Sequence, residues 1–309
     1  MKSYHLTIQD LHRWKVSTIP SGPLRLDGTV EVATPREADV VVVPLPFRET
    51  DNLTPQLLQR IVSDLGIDER RITAFDCSDF NADASRTNPG AMLIRCNLKS
   101  WMKQKMPRSI AWPWPVEDFS ECIPVPEGGF KYDVSGHMWA SSRTRTNACK
   151  NVTRTLGRRA DIATYTDFTG YIYDTPEGVR RRREFRRSMR ESRLALCPQS
   201  IPEVFPYRFW EAMSAGRVPV LLCDGCQFPW MNKVRYEDFS LIIPEAQAAD
   251  SGSIIRDWLS KHDDACVTAM GRYARTCWED WLDSRKWSTL WTVAIEERLR
   301  TDGLLQEGA

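Results

Sequence analysis

The sequence predicts an α/β protein built on parallel sheets and divided into two domains. Three observations carry that expectation. The run Val40-Val41-Val42-Val43 is wholly apolar with no alternation, as in a parallel strand covered on both faces. Short apolar runs alternate with helical patterns along most of the chain, a rhythm that builds sheets through crossover connections. The rhythm breaks at Trp112-Pro113-Trp114-Pro115, Pro124, Pro126 and Gly128-Gly129 and restarts at Lys131. Prolines at those positions exclude helix and central strand, so the passage reads as a linker. A length of 309 residues is itself suited to two domains.

The elements follow in order. Strands are expected at residues 4–8, 29–33 and 39–44. Residues 53–65 form an amphipathic helix, with Leu57, Leu58, Ile61, Val62 and Leu65 on one face. Further strands are expected at 71–75, 91–96 and 109–112. Beyond the break come a strand at 131–139, a helix at 142–156, a short strand at 161–165 and a very basic helix at 176–190. A buried strand at 193–197, a helix at 207–215 and another buried strand at 218–223 come next. A strand at 239–243 and a helix at 253–259 precede a helical tail from about 265 to 300 that carries Trp278, Trp281, Trp287 and Trp291. The domains read as residues 1–125, residues 126–284 and a C-terminal helix over 285–309.

Composition narrows the function classes. Lys and Arg total 42 against 41 Asp and Glu, a net charge of +1 that argues against a protein held to its partner by a large positive field. No apolar run is long enough to span a bilayer, and the start Met1-Lys2-Ser3-Tyr4-His5-Leu6-Thr7 has no cleavable apolar stretch. Nine cysteines, an odd and scattered set, read as reduced thiols. The expectation is a soluble, cytoplasmic protein with no transmembrane segment, in which the sequons at Asn52 and Asn151 carry no glycan. Cys223-x-x-Cys226 lacks a second ligand pair, and no other cluster suggests a metal.

The most informative stretch is 191–244. A buried strand ends in a loop with Pro198, Ser200, Pro202 and Pro206, and a helix opens at Tyr207-Arg208 and stops at Gly216. In an open parallel sheet ligands settle beyond the carboxyl ends of the strands, where this loop must lie. Free N–H groups in the helix's first turn suit a diphosphate, and Arg208 adds a guanidinium fork. Glu211, three residues on, shares its helix face and can accept hydrogen bonds from vicinal ribose hydroxyls. The spacing alone fits equally an Arg–Glu pair on a solvated face.

The segment Leu196-Cys197-Pro198…Pro206-Tyr207-Arg208-Phe209-Trp210-Glu211-Ala212…Ala215-Gly216-Arg217-Val218-Pro219-Val220…Asp224…Pro229-Trp230…Phe239-Ser240 resembles the exostosin-type glycosyltransferases (GT47-like). Weaker echoes lie at Glu37-Ala38-Asp39-Val40…Val43-Pro44 and across 132–147. Two departures stand out: Gln199-Ser200-Ile201 where the family has glycine, and Arg217 where cysteine is frequent. The resemblance implies a GT-B architecture, with two facing Rossmann-like domains and a C-terminal helix crossing back to the first. The acceptor would bind mainly in the N-terminal domain and a nucleotide sugar, read as UDP-linked, in the C-terminal one. It further implies metal-independent transfer of a hexosyl or pentosyl group, read here as inverting, with no cofactor besides the donor. The acceptor stays open among a glycan, a lipid-linked saccharide and a modified nucleobase in DNA.

On that reading Arg208 contacts the donor diphosphate and Glu211 its ribose, while Pro206, Tyr207 and Ser200 shape the pocket. The passage from Ser135-Gly136-His137 to Ser142-Arg143 is a second phosphate candidate, with Gly136 allowing close approach, His137 orienting locally and Arg143 or Arg145 supplying charge. An ordinary strand–helix turn with exposed arginines fits it as well. Asp76 or Asp79, after the strand at 71–75, is the candidate base for the acceptor hydroxyl, although such Asp/Ser/Asn clusters commonly serve as turns and caps. The basic helix Arg180-Arg181-Arg182-Arg183, continued by Arg186 and Arg187, is either a solvated face or a contact for a polyanion through Arg182 and Arg183. The competing class is therefore a non-catalytic α/β module that binds nucleic acid or anionic glycan through that helix.

Overall fold

A computed structural model describes residues 1–5, 26–43, 55–76, 90–167, 175–201 and 204–306. The chain divides into two compact units: residues 1–114, 225–229 and 284–309 form one, and residues 115–224 and 230–283 form the other.

The first unit is a six-stranded sheet in the order β2-β1-β3-β4-β5-β6, with every pairing parallel. Its strands are β1 Lys2–His5, β2 Val30–Glu31, β3 Val40–Val43, β4 Ile72–Asp76, β5 Met92–Arg95 and β6 Ile110–Ala111. All four valines of β3 are buried, as the absence of alternation requires of a central parallel strand. Helix α1, Pro55–Leu65, sets Ile61 into the core with Val41, Val43, Ile72 and Leu93. A second helix that the sequence reading missed, α2 at Ser100–Lys105, adds Met102 to the same core.

The second unit is a five-stranded parallel sheet in the order β11-β10-β9-β7-β8. In chain order its elements are β7 Tyr132–Trp139, α3 Arg143–Leu156, β8 Ala160–Tyr165, α4 Pro176–Arg190, β9 Ser192–Pro198, α5 Arg208–Ser214, β10 Val218–Leu222, β11 Leu241–Ile242, α6 Ser251–Leu259 and α7 Asp264–Trp281. Local chemistry starts these helices where sidechains can satisfy free N–H groups. Ser142 Oγ accepts from Arg145 N at 3.1 Å ahead of α3. Thr175 Oγ1 accepts from Gly178 N at 3.0 Å ahead of α4, with Pro176 at its first position. Asp263 does the same for Cys266 N at 2.8 Å ahead of α7.

The last helix, α8 at Trp287–Thr301, belongs to the first unit, as the GT-B resemblance implies. Its Trp287 and Trp291 close around Trp112, with ring centroids 6.1 and 5.7 Å away. Asp302, just past the helix, pairs with Arg108 at 2.6 Å, and Thr292 Oγ1 donates to Asp27 O at 2.9 Å. The tail tryptophans there are core rather than surface, which their spacing along one helix face allowed.

Both sheets are doubly wound, and in each the strand order reverses once. In the second unit the reversal falls between β7, which is followed by a strand on one side, and β9, which starts the run on the other. In open α/β sheets the crevice outside the carboxyl ends of the strands at such a switch point is where ligands bind.

Helix α7 crosses the turn that joins α5 to β10. Gly216 there has a φ of +64°, the left-handed conformation that ends a helix, and a Cβ on Gly271 would land on the Gly216 carbonyl oxygen. Gly271→Ala is expected to destabilise the fold by about 1–3 kcal/mol through overpacking, read as a lower urea midpoint with an unchanged m-value.

Candidate active site

The crevice at the β7/β9 switch point is closed from below by main-chain and arginine contacts. Gln199 N donates to Leu222 O at 2.8 Å, carrying the sheet pairing past the end of β9. Ser142 Oγ, besides capping α3, donates to Gln199 O at 2.7 Å and ties the start of the helix to that same edge. Arg145 is buried and donates to Trp139 O at 2.9 Å and Pro198 O at 3.2 Å, bridging the carboxyl ends of β7 and β9. It is a clamp on the crevice floor. Arg143, one residue inside the helix, is exposed.

Helix α5 rises from the proline-rich connection after β9. Phe205 stacks on Trp210 with centroids 4.8 Å apart, and Phe209 meets both rings edge-on at 5.6 and 5.1 Å. These buried rings fix the first turn of the helix and leave Arg208 and Glu211 on its other face. The two form the expected ion pair, but they are only 7% and 3% exposed, so they do not lie on a solvated face. Glu211 receives a second cation. Arg182 of α4 places Nη1 2.9 Å from Glu211 Oε1, while Arg208 Nη1 holds Oε2. Arg182 Nη2 lies 3.0 Å from Glu117 Oε2. Partial burial disfavours a charged Glu117, but hydrogen bonds from Arg182 and Arg186 outweigh it and hold its carboxyl below the ordinary range. Guanidinium groups stack on the rings between them: Arg208 lies 3.9 Å from the Phe185 centroid and Arg182 lies 4.7 Å from that of Phe119.

The sequence-predicted residues divide accordingly. Arg208 and Glu211 meet, next to Tyr207 and the buried Pro206, and Ser200 is half-buried just beyond β9. Gly136 and His137 are not in a loop, because β7 runs on to Trp139. A Cβ at Gly136 would press on Ile162 and Leu196, so its missing side chain serves packing between strands. His137 is buried, with Nε2 3.6 Å from Asp161 Oδ1 and Nδ1 3.4 Å from the Tyr165 hydroxyl. Asp76 is the last residue of β4, at a carboxyl end, and Asp79 lies outside the described residues. Of the basic helix, Arg180 pairs with Glu177 and Glu184, Arg181 with Glu177 and Asp167, and Arg186 with Glu117 and Glu121. Arg182 is thus committed inward, and Arg183 is exposed.

Sequence reasoning missed Glu117 and Glu245. Glu245 accepts from Asp224 N at 2.8 Å, and Asp224 accepts from Glu245 N at 3.1 Å, a reciprocal cap between the ends of β10 and β11. It also missed what Arg217 does: Nε donates to Met189 O and Nη2 to Arg190 O, each at 3.0 Å, tying β10 to the end of α4. Burial lowers the Arg217 pKa to about 10. The expectation of reduced thiols needs correction at one place, where Cys223 and Cys226 are joined in a disulfide. Elsewhere burial pushes Cys122 up to about 11 and Cys149 up to about 12, which makes them poor nucleophiles. Among the described residues no group of three or more His, Cys, Asp or Glu side chains is placed to hold a metal ion. No helix among them is long and apolar enough to cross a membrane.

Two parallel-sheet units flanked by helices, the last helix belonging to the first, and a buried arginine–carboxylate cluster in the second define an α/β protein. Residues 133–258 match the family model of the Exostosin GT47 domain. That stretch of the second unit is thus similar to an exostosin-type domain, and it contains the 196–240 segment from which the resemblance was read. No curated protein matches the chain. Among solved structures, HepE (Alr3699) of Anabaena in complex with UDP is similar at 13% identity and a TM-score of 0.44, covering 98% of this chain and 99% of that one. A glycosyltransferase of Rickettsia africae is similar at 8% identity and a TM-score of 0.45, covering 87% and 91%. AviGT4, a glycosyltransferase of avilamycin A biosynthesis, is similar at 11% identity and a TM-score of 0.39, covering 100% and 98%.

The His137–Asp161 contact sets a pH dependence. His137, then Ser188, hold the Asp161 carboxyl below its ordinary value of 3.8, against a smaller opposing effect of burial. A carboxyl with a depressed folded-state pKa contributes stability above its unfolded value, and that contribution disappears as pH falls through the folded one. Asp161→Asn is therefore expected to lower stability near neutral pH and to flatten its loss below about pH 3.8, measured by urea unfolding across the acid range.

Proposed function

We propose that the protein is a glycosyltransferase that moves a hexosyl or pentosyl group from a UDP-linked donor to a hydroxyl acceptor, with inversion and without a metal ion. The observation that carries this reading is the buried Arg208–Glu211 pair beside the carboxyl edge of a sheet that has the exostosin-type family match. A sugar leaves a nucleotide only if the charge growing on the diphosphate is stabilised, and preorganised guanidinium groups in a water-poor site do this well. In the proposal Arg208 takes the diphosphate, with Arg143 at the start of α3 as a second cation. Glu211 accepts from the ribose hydroxyls, and Tyr207, Pro206 and Ser200 bound the pocket.

The acceptor hydroxyl needs a base, and Asp76, ending a strand of the first unit, is assigned that role together with Asp79 as the neighbouring alternative. The acceptor class is a glycan, a lipid-linked saccharide or a modified nucleobase, and the protein acts in the cytoplasm. In the competing polyanion-module reading Arg182 is already engaged by Glu117 and Glu211, and Arg180, Arg181 and Arg186 by neighbouring carboxylates, which leaves the exposed Arg183 as that reading's contact.

UDP at a hundred times its dissociation constant is expected to stabilise the wild-type protein by about 2.7 kcal/mol. Arg208→Ala and Glu211→Ala should each erase that shift while the proteins still melt cooperatively. Melting that is unchanged by UDP, GDP, ADP and CMP alike refutes the donor site. Sugar transfer, followed as UDP release with mass spectrometry of candidate acceptors, is expected to continue in EDTA. Loss of turnover in EDTA, restored by a divalent cation, refutes the metal-independent part.

A further inference from the structure

Glu211 has two carboxylate oxygens, and each faces a different arginine. Arg208 approaches Oε2 from within α5, and Arg182 approaches Oε1 from α4 at 2.9 Å. The two cations are anchored unequally. Arg182 is also held through Nη2 by Glu117 at 3.0 Å, and Glu117 is bound in turn by Arg186, which reaches Glu121 at 2.8 Å. Its guanidinium lies over Phe119, which packs edge-on against Phe185 at 5.8 Å. Arg208 sits at the loop end of the same ladder, where β9 gives way to α5.

A diphosphate is a stronger lure for a guanidinium than one carboxylate, because it offers several charged acceptors in fork geometry. If Arg208 were the sole partner of Glu211, its turn toward a diphosphate would leave a carboxylate only 3% exposed with no counter-charge, a heavily penalised state. Arg182 removes that penalty, and its like charge beside Arg208 favours the exchange.

We propose that Arg182, braced by Glu117, is a positioning residue of the donor site: it keeps Glu211 charged and aimed at the ribose while Arg208 leaves that carboxylate for the diphosphate. This rests on the donor-site reading above. It makes the coupling between phosphate and ribose recognition a property of α4, a helix before the 196–240 segment.

The test is calorimetric titration of UDP and of uridine, which lacks the diphosphate, on the wild type, Arg182→Met, Arg182→Lys and the double variant Arg182→Met/Glu211→Gln, with circular dichroism as the folding control. The readout is the ratio of the two affinities, which a merely structural role does not move. Arg182→Met is expected to lower the UDP-to-uridine ratio by about tenfold, or about 1.4 kcal/mol, because only UDP draws Arg208 away. Arg182→Lys keeps the charge without the fork and should restore part of the ratio. Glu211→Gln in the Met background should restore most of it, since a neutral amide needs no cation. If Arg182→Met does not fold, a reduced ratio in Arg182→Lys supports the proposal and an unchanged one overturns it. UDP and uridine weakened by the same factor, or both unaffected, also overturn it alone. A wild-type protein that binds neither ligand overturns the donor-site reading and the proposal with it.

Discussion

A carboxylate taken out of water must be met by cations, and much of the second unit is arranged around meeting that demand at Glu211. One cation comes from the same helix, three residues before it. The other comes from α4, which must therefore lie with Arg182 toward α5 and Phe185 beneath both guanidinium groups. Glu117 then has to stand beyond Arg182, which fixes the chain where it enters this unit. Networks of this kind are seldom the cheapest way to stabilise a core, since apolar replacements of similar shape often do as well or better. A buried ladder of alternating charge at a ligand edge is accordingly read here as a site first and a brace second.

The same residue type meets opposite fates within one unit. Arg145 and Arg217 are spent on main-chain carbonyls, one across the ends of β7 and β9, the other at the end of α4. Arg182 and Arg208 face carboxylates, and Arg143 faces solvent. Arg145 ties the carboxyl ends of the strands and Arg217 their amino ends, while the carboxylate partners give the candidate site its chemistry. Where the resembling family often has a cysteine, Arg217 closes a gap between α4 and β10 that a small thiol would leave unfilled, so the departure is one of packing.

How much of this the sequence disclosed follows from the range of each interaction. The unalternating valines of β3, the Thr175–Pro176 opening of α4 and the Arg208–Glu211 spacing are local signals, and the structure shows each of them formed. Helix α2 was missed because six residues, SWMKQK, carry too little periodicity to register. Gly136 was taken for a close approach to phosphate; it is a close approach to Ile162 and Leu196, which only the neighbouring strands reveal. Glu117 and Glu245 could not be found because their partners are distant in sequence and no spacing rule links them. The pairing of Arg180 and Arg181 with Glu177 and Glu184 follows helical spacing and was expected of a solvated face, whereas the contacts of Arg182 and Arg186 with Glu117, distant in sequence, were not. Asp76 was read as an edge residue from its strand alone, and it does end that strand.

The tryptophan cluster of Trp112, Trp287 and Trp291 has a bearing on how the chain is made. The first unit draws on residues 1–114 and again on residues 284–309, so its core lacks α8 until the ribosome has passed the whole intervening unit. At about 5–20 residues per second that interval is on the order of ten seconds or more. Residues 115–283 can complete their own sheet first, and the N-terminal segment, though born earlier, is finished last. Domains usually mature in the order they emerge; here the first unit cannot be completed before the second has been synthesised, because Trp112 packs against the first turns of α8.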